Sequence, residues 1–401
     1  MNQKIKVAVI GVGNCFSALY QGIHYYSGQT EQVSGISHLD IGGYYPSDIE
    51  IVAALDVDRR KVGKPVSQAI FSLPNCARVF FSGPFNGHGD PIVQMGSVLD
   101  GVSDYMLEQP EHQGFRLSDE PTVDIVKLLK ESQAQILLNY LPVGSVEATE
   151  FYAEQAIQAG VSFVNNIPVL SLNHPRWEKR FIDANLPYIG SDIKSQFGAS
   201  ILSQTLQELA FSRGMQVDYH QQLNVGGNCD FLNMQVQSRL KHKKVSKENV
   251  IRAQNDIRGI PVNADALFAG PSTFIPYLKD NKVAYFNLKL RGFGDAPIEL
   301  DCKLSVQDSE NSAGVVIDAI RFLQVAREMG IIGCLRGPSS FTQKSPPKQL
   351  CYEDSIFECM ALARREFTKH TRRQLTQLDA LAFAWEEYNS GGMDYLRLIG
   401  E

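Results

Sequence analysis

The sequence predicts an α/β protein: a Rossmann-type, doubly wound parallel sheet followed by a second α+β domain that carries a mostly antiparallel sheet. Three observations predict it. The apolar run "KIKVAVIGVGN" ends in a glycine turn and opens a helical pattern. Apolar strands then alternate with amphipathic helical stretches to about residue 190. After Ser191 the texture changes, and period-two alternation replaces continuous apolar runs.

In chain order, the first strand and its turn lead into a helix from Cys15 to about Tyr26. "IEIVAALDVD" is a second buried strand that ends in Asp56 and Asp58; "QILLNYLP" and "VSFVNNIP" are the third and fourth. "PTVDIVKLLKES" and "SVEATEFYAEQAIQAG" are helices between them. Residues 27–47 and 80–117, rich in Gly, Ser, Pro and Asp, read as long loops. "KSQFGASILSQTLQELAFSRG" predicts a helix with a glycine stop. "NKVAYFNLKLRGF" and "PIELDCKLSVQDS" are strands of the second sheet, with Ile298, Leu300, Cys302, Leu304 and Val306 on one buried face. "SAGVVIDAIRFLQVAREMG" is an amphipathic helix, with Val316, Ile320 and Leu323 on one side, that returns to the first domain. The expected domains are therefore 1–190 for the nucleotide, completed by 308–350; 191–307 for catalysis and oligomerisation; and 351–401 as a helical extension. In that extension Ile356, Met360, Ala363 and Phe367 recur at helical spacing, which predicts docking through that face.

Composition narrows the function. The chain has 401 residues and a formal net charge of −6, so nucleic acid is not the expected partner. No apolar run approaches the roughly 20 residues that span a bilayer, and the N-terminus begins a strand rather than a signal peptide. A cytoplasmic protein without membrane contact is expected. The seven cysteines are odd in number and scattered without a CxxC pair, so reduced thiols are expected. The eight histidines form no HxxxH pair, which argues against a zinc cage and leaves room only for a cation held by carboxylates and water.

"GVGNCFS" carries the nucleotide reading. Gly11 makes the tight turn, Gly13 lets the backbone approach a pyrophosphate, and Asn14 and Cys15 open the helix at whose N-terminus it would sit. Phe16 stands where the third fingerprint glycine is usual. Asp56 ends the second strand at about twice the usual spacing of about 20 residues, because residues 27–47 intervene. Its type and place suit a ribose diol, hence NAD rather than NADP.

A second group of residues is polar. "GSDIKSQ" carries Asp192, Lys194 and Ser195; "NVGGNCD" carries Asn224, Asn228 and Asp230; Lys282 and Lys344 stand in "DNKVAY" and "TQKSPP". "LKHKKVSKEN" places four lysines and a histidine between Lys241 and Lys247. Each stretch alone reads as a turn or a solvated face. Beside a nucleotide turn they also read as a pocket, because lysines drawn from several segments can hold a phosphate, stabilise an oxyanion and, when desolvated, move protons near neutrality.

Together with "VAVIGVGNC", "LDVDRRKVG", "NYLPVGS", "FVNNIPV", "DIKSQFGA", "QLNVGGNCDFLNM", "KKVSK", "NSAGVVIDAIR" and "KSPP", these stretches resemble the myo-inositol-1-phosphate synthase family, in its short bacterial and archaeal form, from about Lys4 to about Leu350. The resemblance implies NAD-dependent conversion of D-glucose 6-phosphate to 1D-myo-inositol 3-phosphate by oxidation at C5, enolisation, intramolecular aldol closure and re-reduction, with the cofactor recycled. It implies roles for Lys243 in proton transfer, Lys247 at the phosphate, Lys282 at the C1 oxygen and Lys344 at the C5 oxygen, with Lys243 and Lys247 on one face of a helix and Lys241 and Lys244 solvated. Asp192, Ser195, Asn224, Asn228 and Asp230 would meet substrate, and Asp308, Asn139 and Asn165 the cofactor. It also implies a homotetramer assembled through the second sheet. The residues themselves leave open a net NAD-dependent dehydrogenase, the same cyclisation on another sugar phosphate, and an NAD-binding regulator.

Overall fold

The computed structural model describes residues 4–29, 31, 33–236, 238–239, 247–248, 251–252, 255–256 and 266–366. Lys241, Lys243 and Lys244 lie outside the described residues, as does Phe367 with the rest of the tail beyond it. No helix among the described residues is long and apolar enough to cross a membrane.

Two sheets organise the chain. The first has seven parallel strands in the order β11-β6-β5-β4-β1-β2-β3. They are β1 Ile5–Ile10, β2 Ile49–Asp56, β3 Val93–Met95, β4 Ile136–Asn139, β5 Ser162–Asn165, β6 Pro187–Gly190 and β11 Gly333–Cys334. The order reverses between β1 and β4, the switch point at which doubly wound folds bind their ligands. Side chains alternate between two cores, as the period of a strand requires. Val7, Val9, Ile51 and Leu138 face the helices Asn14–Tyr25 and Asp308–Met329. Ala8, Ile10, Leu55 and Leu137 face the other side, with Tyr152, Trp177 and Phe181.

The second sheet has the order β10-β9-β7-β8, with β7 Gln216–Gly226, β8 Leu267–Phe274, β9 Asn281–Arg291 and β10 Pro297–Gln307. β9 pairs antiparallel with β7 and β10, whereas β8 runs parallel to β7. Leu300, Cys302 and Leu304, partly buried, turn toward Ala284, Phe286, Leu288 and the helix Ala199–Ser212, so the alternation read from "PIELDCKLSVQDS" is present there, but Ile298 at its start is exposed and not on a buried face.

Three expectations are corrected. The 80–117 stretch is not all loop: it contains the short edge strand β3 and the helix Asp104–Glu108. The Asp308–Met329 helix is buried on nearly every side, not along one stripe, and it carries Asp318 and Arg321 paired inside the core at 2.5 Å. Arg321 also donates to the carbonyls of His38, Leu39 and Tyr44 and so ties the 27–47 segment to this helix. In the extension, the helix Tyr352–Ala363 buries Ser355, Glu358, Cys359 and Leu362 and leaves Met360 exposed, so its inner face is offset by one residue from the expected one.

Candidate active site

The cavity lies between the switch point of the first sheet and the cavity-side ends of β7 and β9. Gly11 makes the turn at φ +91°, and a Cβ there would lie 2.5 Å from the carbonyl oxygen of Tyr140, so only glycine fits. A Cβ on Gly13 would meet nothing within 4 Å, and Gly13 is the N-cap of the Asn14–Tyr25 helix without a side-chain cap. Its open backbone therefore suits close approach of a ligand phosphate. Phe16 packs fully inside the core, which explains how the fold dispenses with a third glycine. Asn14 accepts from the backbone N–H groups of Cys76 and Ala77 at 2.6 and 2.9 Å and holds that loop at the cavity wall. The partly buried Cys15 thiol is pushed up to about 12 by desolvation and then by Asp308, so it stays protonated.

Asp56 accepts from Val12 N–H at 2.7 Å and from Val57 and Asp58 N–H at 2.7 and 2.9 Å. It thus stiffens the glycine turn, and it lines a lobe of the cavity with Gly11, Gly13 and Lys61. Lys61, 4% exposed and 3.7 Å from Asp56, lines this lobe and the main chamber alike. Sequence reading passed over it because "DRRKVGK" looks like a surface charge run.

The main chamber brings together Gly13, Asn14, Cys15, Ser195, Asn224, Asn228, Asp230, Lys247, Lys282, Asp308 and Lys344. Asp192 stands just behind. Residues 191–194 pair with 342–345 through Lys194 N–H to Thr342 O and Lys344 N–H to Asp192 O, both 2.7 Å. That pairing lets Lys344 Nζ reach Asp192 at 3.0 Å and the Ile193 carbonyl at 2.6 Å. Asp192 is fully buried with φ +66°, a left-handed conformation that aspartate tolerates better than most residues. Lys282 is ion-paired with Asp308 at the start of its helix.

Asp280 joins these parts and was not singled out from the sequence. It is 1% exposed and accepts from Asn228 Nδ2 at 3.1 Å, Ser309 Oγ at 2.9 Å and Ser309 N–H at 3.0 Å. Desolvation, then Asp308, pushes its carboxyl up to about 7. Asn228 also caps the short helix Cys229–Asn233, accepting from Asp230 and Phe231 N–H, so it sets the loop that presents Asp230.

Asn139 and Asn165 do not line the chamber. They are buried beneath it, 3.0 Å apart, and Asn165 also donates to Ser191 Oγ at 3.0 Å. The neighbouring Asn166 lines the chamber, and both polar atoms of its buried amide lack a partner among the described residues. A buried amide in that state is a ready contact for a bound polar group. With the open turn at Gly13, it makes the residues present a fit for a dinucleotide. No group of three or more His, Cys, Asp or Glu able to hold a metal occurs among the described residues.

A doubly wound sheet with an open glycine turn at its switch point, facing four lysines across the chamber, defines a Rossmann-type protein with a nucleotide cofactor. A sequence model described as myo-inositol-1-phosphate synthase matches residues 198–309. The chain is 45% identical over 350 residues to the inositol-3-phosphate synthase of Mycolicibacterium smegmatis, covering 86% of this chain and 94% of that one. It is 43% identical over 352 residues to the inositol-3-phosphate synthase of Corynebacterium glutamicum, with the same two coverages, 86% and 94%. A myo-inositol-1-phosphate synthase-related protein from Thermotoga maritima has the same fold, with a TM-score of 0.73 at 23% identity over 90% of this chain and 98% of that one. The chain belongs to the myo-inositol-1-phosphate synthase family.

Proposed function

We propose that this chain is an inositol-3-phosphate synthase that converts D-glucose 6-phosphate to 1D-myo-inositol 3-phosphate with NAD as a resident cofactor. The observation that carries this reading is the convergence of Lys247, Lys282 and Lys344 with Ser195, Asn224, Asn228 and Asp230 on one chamber that opens onto the Gly11–Gly13 turn. NAD, when bound, supplies reversible oxidation of the C5 hydroxyl.

The protein's residues would divide the remaining work. Gly13, with the first turn of the Asn14–Tyr25 helix, would take the pyrophosphate, Asp56 the ribose beside it, and Asn166 and Asp308 the nicotinamide end. Lys247 and Ser195 would hold the substrate phosphate. Lys344, oriented by Asp192 and the Ile193 carbonyl, would stabilise negative charge on the C5 oxygen. Lys282, held by Asp308, would do the same for the C1 oxygen during ring closure. Lys243 is assigned proton transfer and oxyanion stabilisation near C5 through its place in "KKVSK". The 191–307 segment would act as catalytic and assembly domain, with the exposed Tyr219, Phe268 and Tyr285 on the second sheet packing between subunits of a homotetramer. We place the protein in the cytoplasm.

Phosphorus NMR of the purified protein with NAD and glucose 6-phosphate tests the reading. Conversion to inositol monophosphate is expected; an oxidised sugar phosphate as the product would instead mark a net dehydrogenase.

A further inference from the structure

We infer that Ser203 and His220 are positioning residues for this site: through Gln222 they anchor the Asn224 amide, whose sense the Gly270 carbonyl sets, so that it offers the chamber an N–H, not its carbonyl oxygen. This deepens the proposed reading and rests on it for the identity of the ligand.

A chain of four buried side chains runs from the chamber wall into the second sheet. Asn224 Nδ2 donates to the Gly270 carbonyl at 2.9 Å. Gln222 Nε2 donates to Asn224 Oδ1 at 3.1 Å, and Ser203 Oγ donates to Gln222 Oε1 at 2.9 Å. Ser203 Oγ also lies 3.0 Å from His220 Nε2. All four side chains are at most 2% exposed, so water cannot replace a lost link.

One backbone group fixes the sense of the whole chain. A carbonyl only accepts, so the Asn224 atom facing Gly270 must be the nitrogen. Asn224 Oδ1 then faces Gln222 and must receive an N–H, which turns Gln222 Oε1 toward Ser203. The serine proton is spent on that oxygen, so Ser203 Oγ can only accept from His220. His220 is therefore the Nε2–H tautomer, and its bare Nδ1 has no partner among the described residues. Burial holds this ring neutral, with its pKa lowered to about 4, so protonation does not disturb the chain near neutrality. Asn224 Nδ2 has two hydrogens and spends one on Gly270. The second is left for the chamber that Asn224 lines. The ligand atom it meets is an acceptor: a phosphate, hydroxyl or carbonyl oxygen.

Two measurements test this. The tautomer is read from long-range proton–nitrogen correlation spectra of the holoenzyme labelled with 15N-histidine, His220 being assigned by the signal lost in His220→Gln. Nε2–H is expected, and an Nδ1–H tautomer overturns the inference. In kinetics, Ser203→Ala leaves Gln222 Oε1 without its donor and loosens the Gln222 amide that anchors Asn224 Oδ1, and KM for glucose 6-phosphate rises about ten-fold with kcat and NAD affinity within about two-fold. Ser203→Thr keeps the hydroxyl and restores KM. An unchanged KM in Ser203→Ala, or equal losses of kcat, NAD affinity and thermal stability with no rescue by threonine, overturns it. A wild-type protein that forms no inositol phosphate defeats the proposed function, and the tautomer still judges the relay.

Discussion

Lys344 and Asp192, 152 residues apart in sequence, form an ion pair of 3.0 Å at the chamber wall. Asp192 is wholly buried and Lys344 Nζ also donates to the Ile193 carbonyl, so the ammonium group has a fixed direction. A preorganised charge of this kind is worth more than a mobile one at a developing oxyanion. Lys344→Met is expected to lower kcat by about 10²–10³ with NAD binding retained. Asp192→Asn keeps a hydrogen-bond acceptor but loses the charge, and a smaller loss of kcat is expected. Steady-state kinetics with thermal unfolding as a fold control checks both; a Lys344→Met enzyme with normal kcat removes this residue from the chemistry.

Cofactor choice is expected to depend on Asp56. Its carboxylate would repel a 2′-phosphate, so NAD is expected to bind well ahead of NADP. The three backbone N–H groups that it accepts add a second expectation. Asp56→Ala leaves those donors unpaired and loosens the glycine turn, at about 1–3 kcal/mol. It should therefore weaken both cofactors rather than convert the protein to NADP use. Isothermal titration with each nucleotide checks this, and a clean switch to NADP contradicts it.

Lys194 gives a pH dependence of stability. Its amine is buried, donates to the Ser340 carbonyl at 2.6 Å, and has a pKa lowered from 10.5 to about 7 by desolvation and then by Lys344. Between these two values the unfolded chain holds a proton that the folded one lacks, so this group makes stability rise with pH. The contribution is complete above the unfolded value and is lost as pH falls toward 7. Lys194→Met removes the titration. Denaturant unfolding between pH 7 and 10 should therefore show a flatter profile for the variant, with a difference on the order of a few kcal/mol at pH 7.

The C-terminal helix is structural. Glu358 pairs with Arg336 at 2.7 Å in a mostly buried setting, and Cys359 and Leu362 complete the core around the Asp308–Met329 helix. Leu362→Ala is expected to cost about 2–5 kcal/mol. Glu358→Ala strands a mostly buried guanidinium and is expected to cost about 3–5 kcal/mol. Truncation after Leu350 should lower the melting temperature. An unchanged melting temperature in all three would detach this helix from the fold.

Much of this architecture is legible because long elements repeat their pattern. Five apolar residues among the six of Ile5–Ile10, or the alternation at Ile298–Val306, leave little choice of structure. Two longer strands of the second sheet, Gln216–Gly226 and Leu267–Phe274, went unread, and the unread strands of the first sheet are two to four residues long: Val93–Met95, Pro187–Gly190 and Gly333–Cys334. They are strands because a neighbouring edge pairs with them, and nothing local announces it. The Asp308–Met329 helix reads as amphipathic because Asp318 and Arg321 look solvated, yet they neutralise each other inside the core. Ser355 and Glu358 disguise the buried face of the helix Tyr352–Ala363 in the same way. In the site, the motif residues converge, but motifs do not separate neighbours. "VNNIP" offers two asparagines, and strand parity turns Asn165 downward while Asn166 faces the chamber. Asp280 and Lys61 lie inside the stretches "DNKVAY" and "LDVDRRKVG" but acquire meaning only from what folding places around them.

In the proposed reaction one bound cofactor would serve both the oxidation and the reduction within a single turnover. The direct measurement is to supply NAD in an amount equal to the enzyme, add excess glucose 6-phosphate without any external oxidant, and follow inositol phosphate and NADH absorbance together. Many inositol phosphates per NAD with no accumulating NADH are predicted. A single turnover, with NADH appearing mole for mole with an oxidised sugar phosphate, would contradict the account.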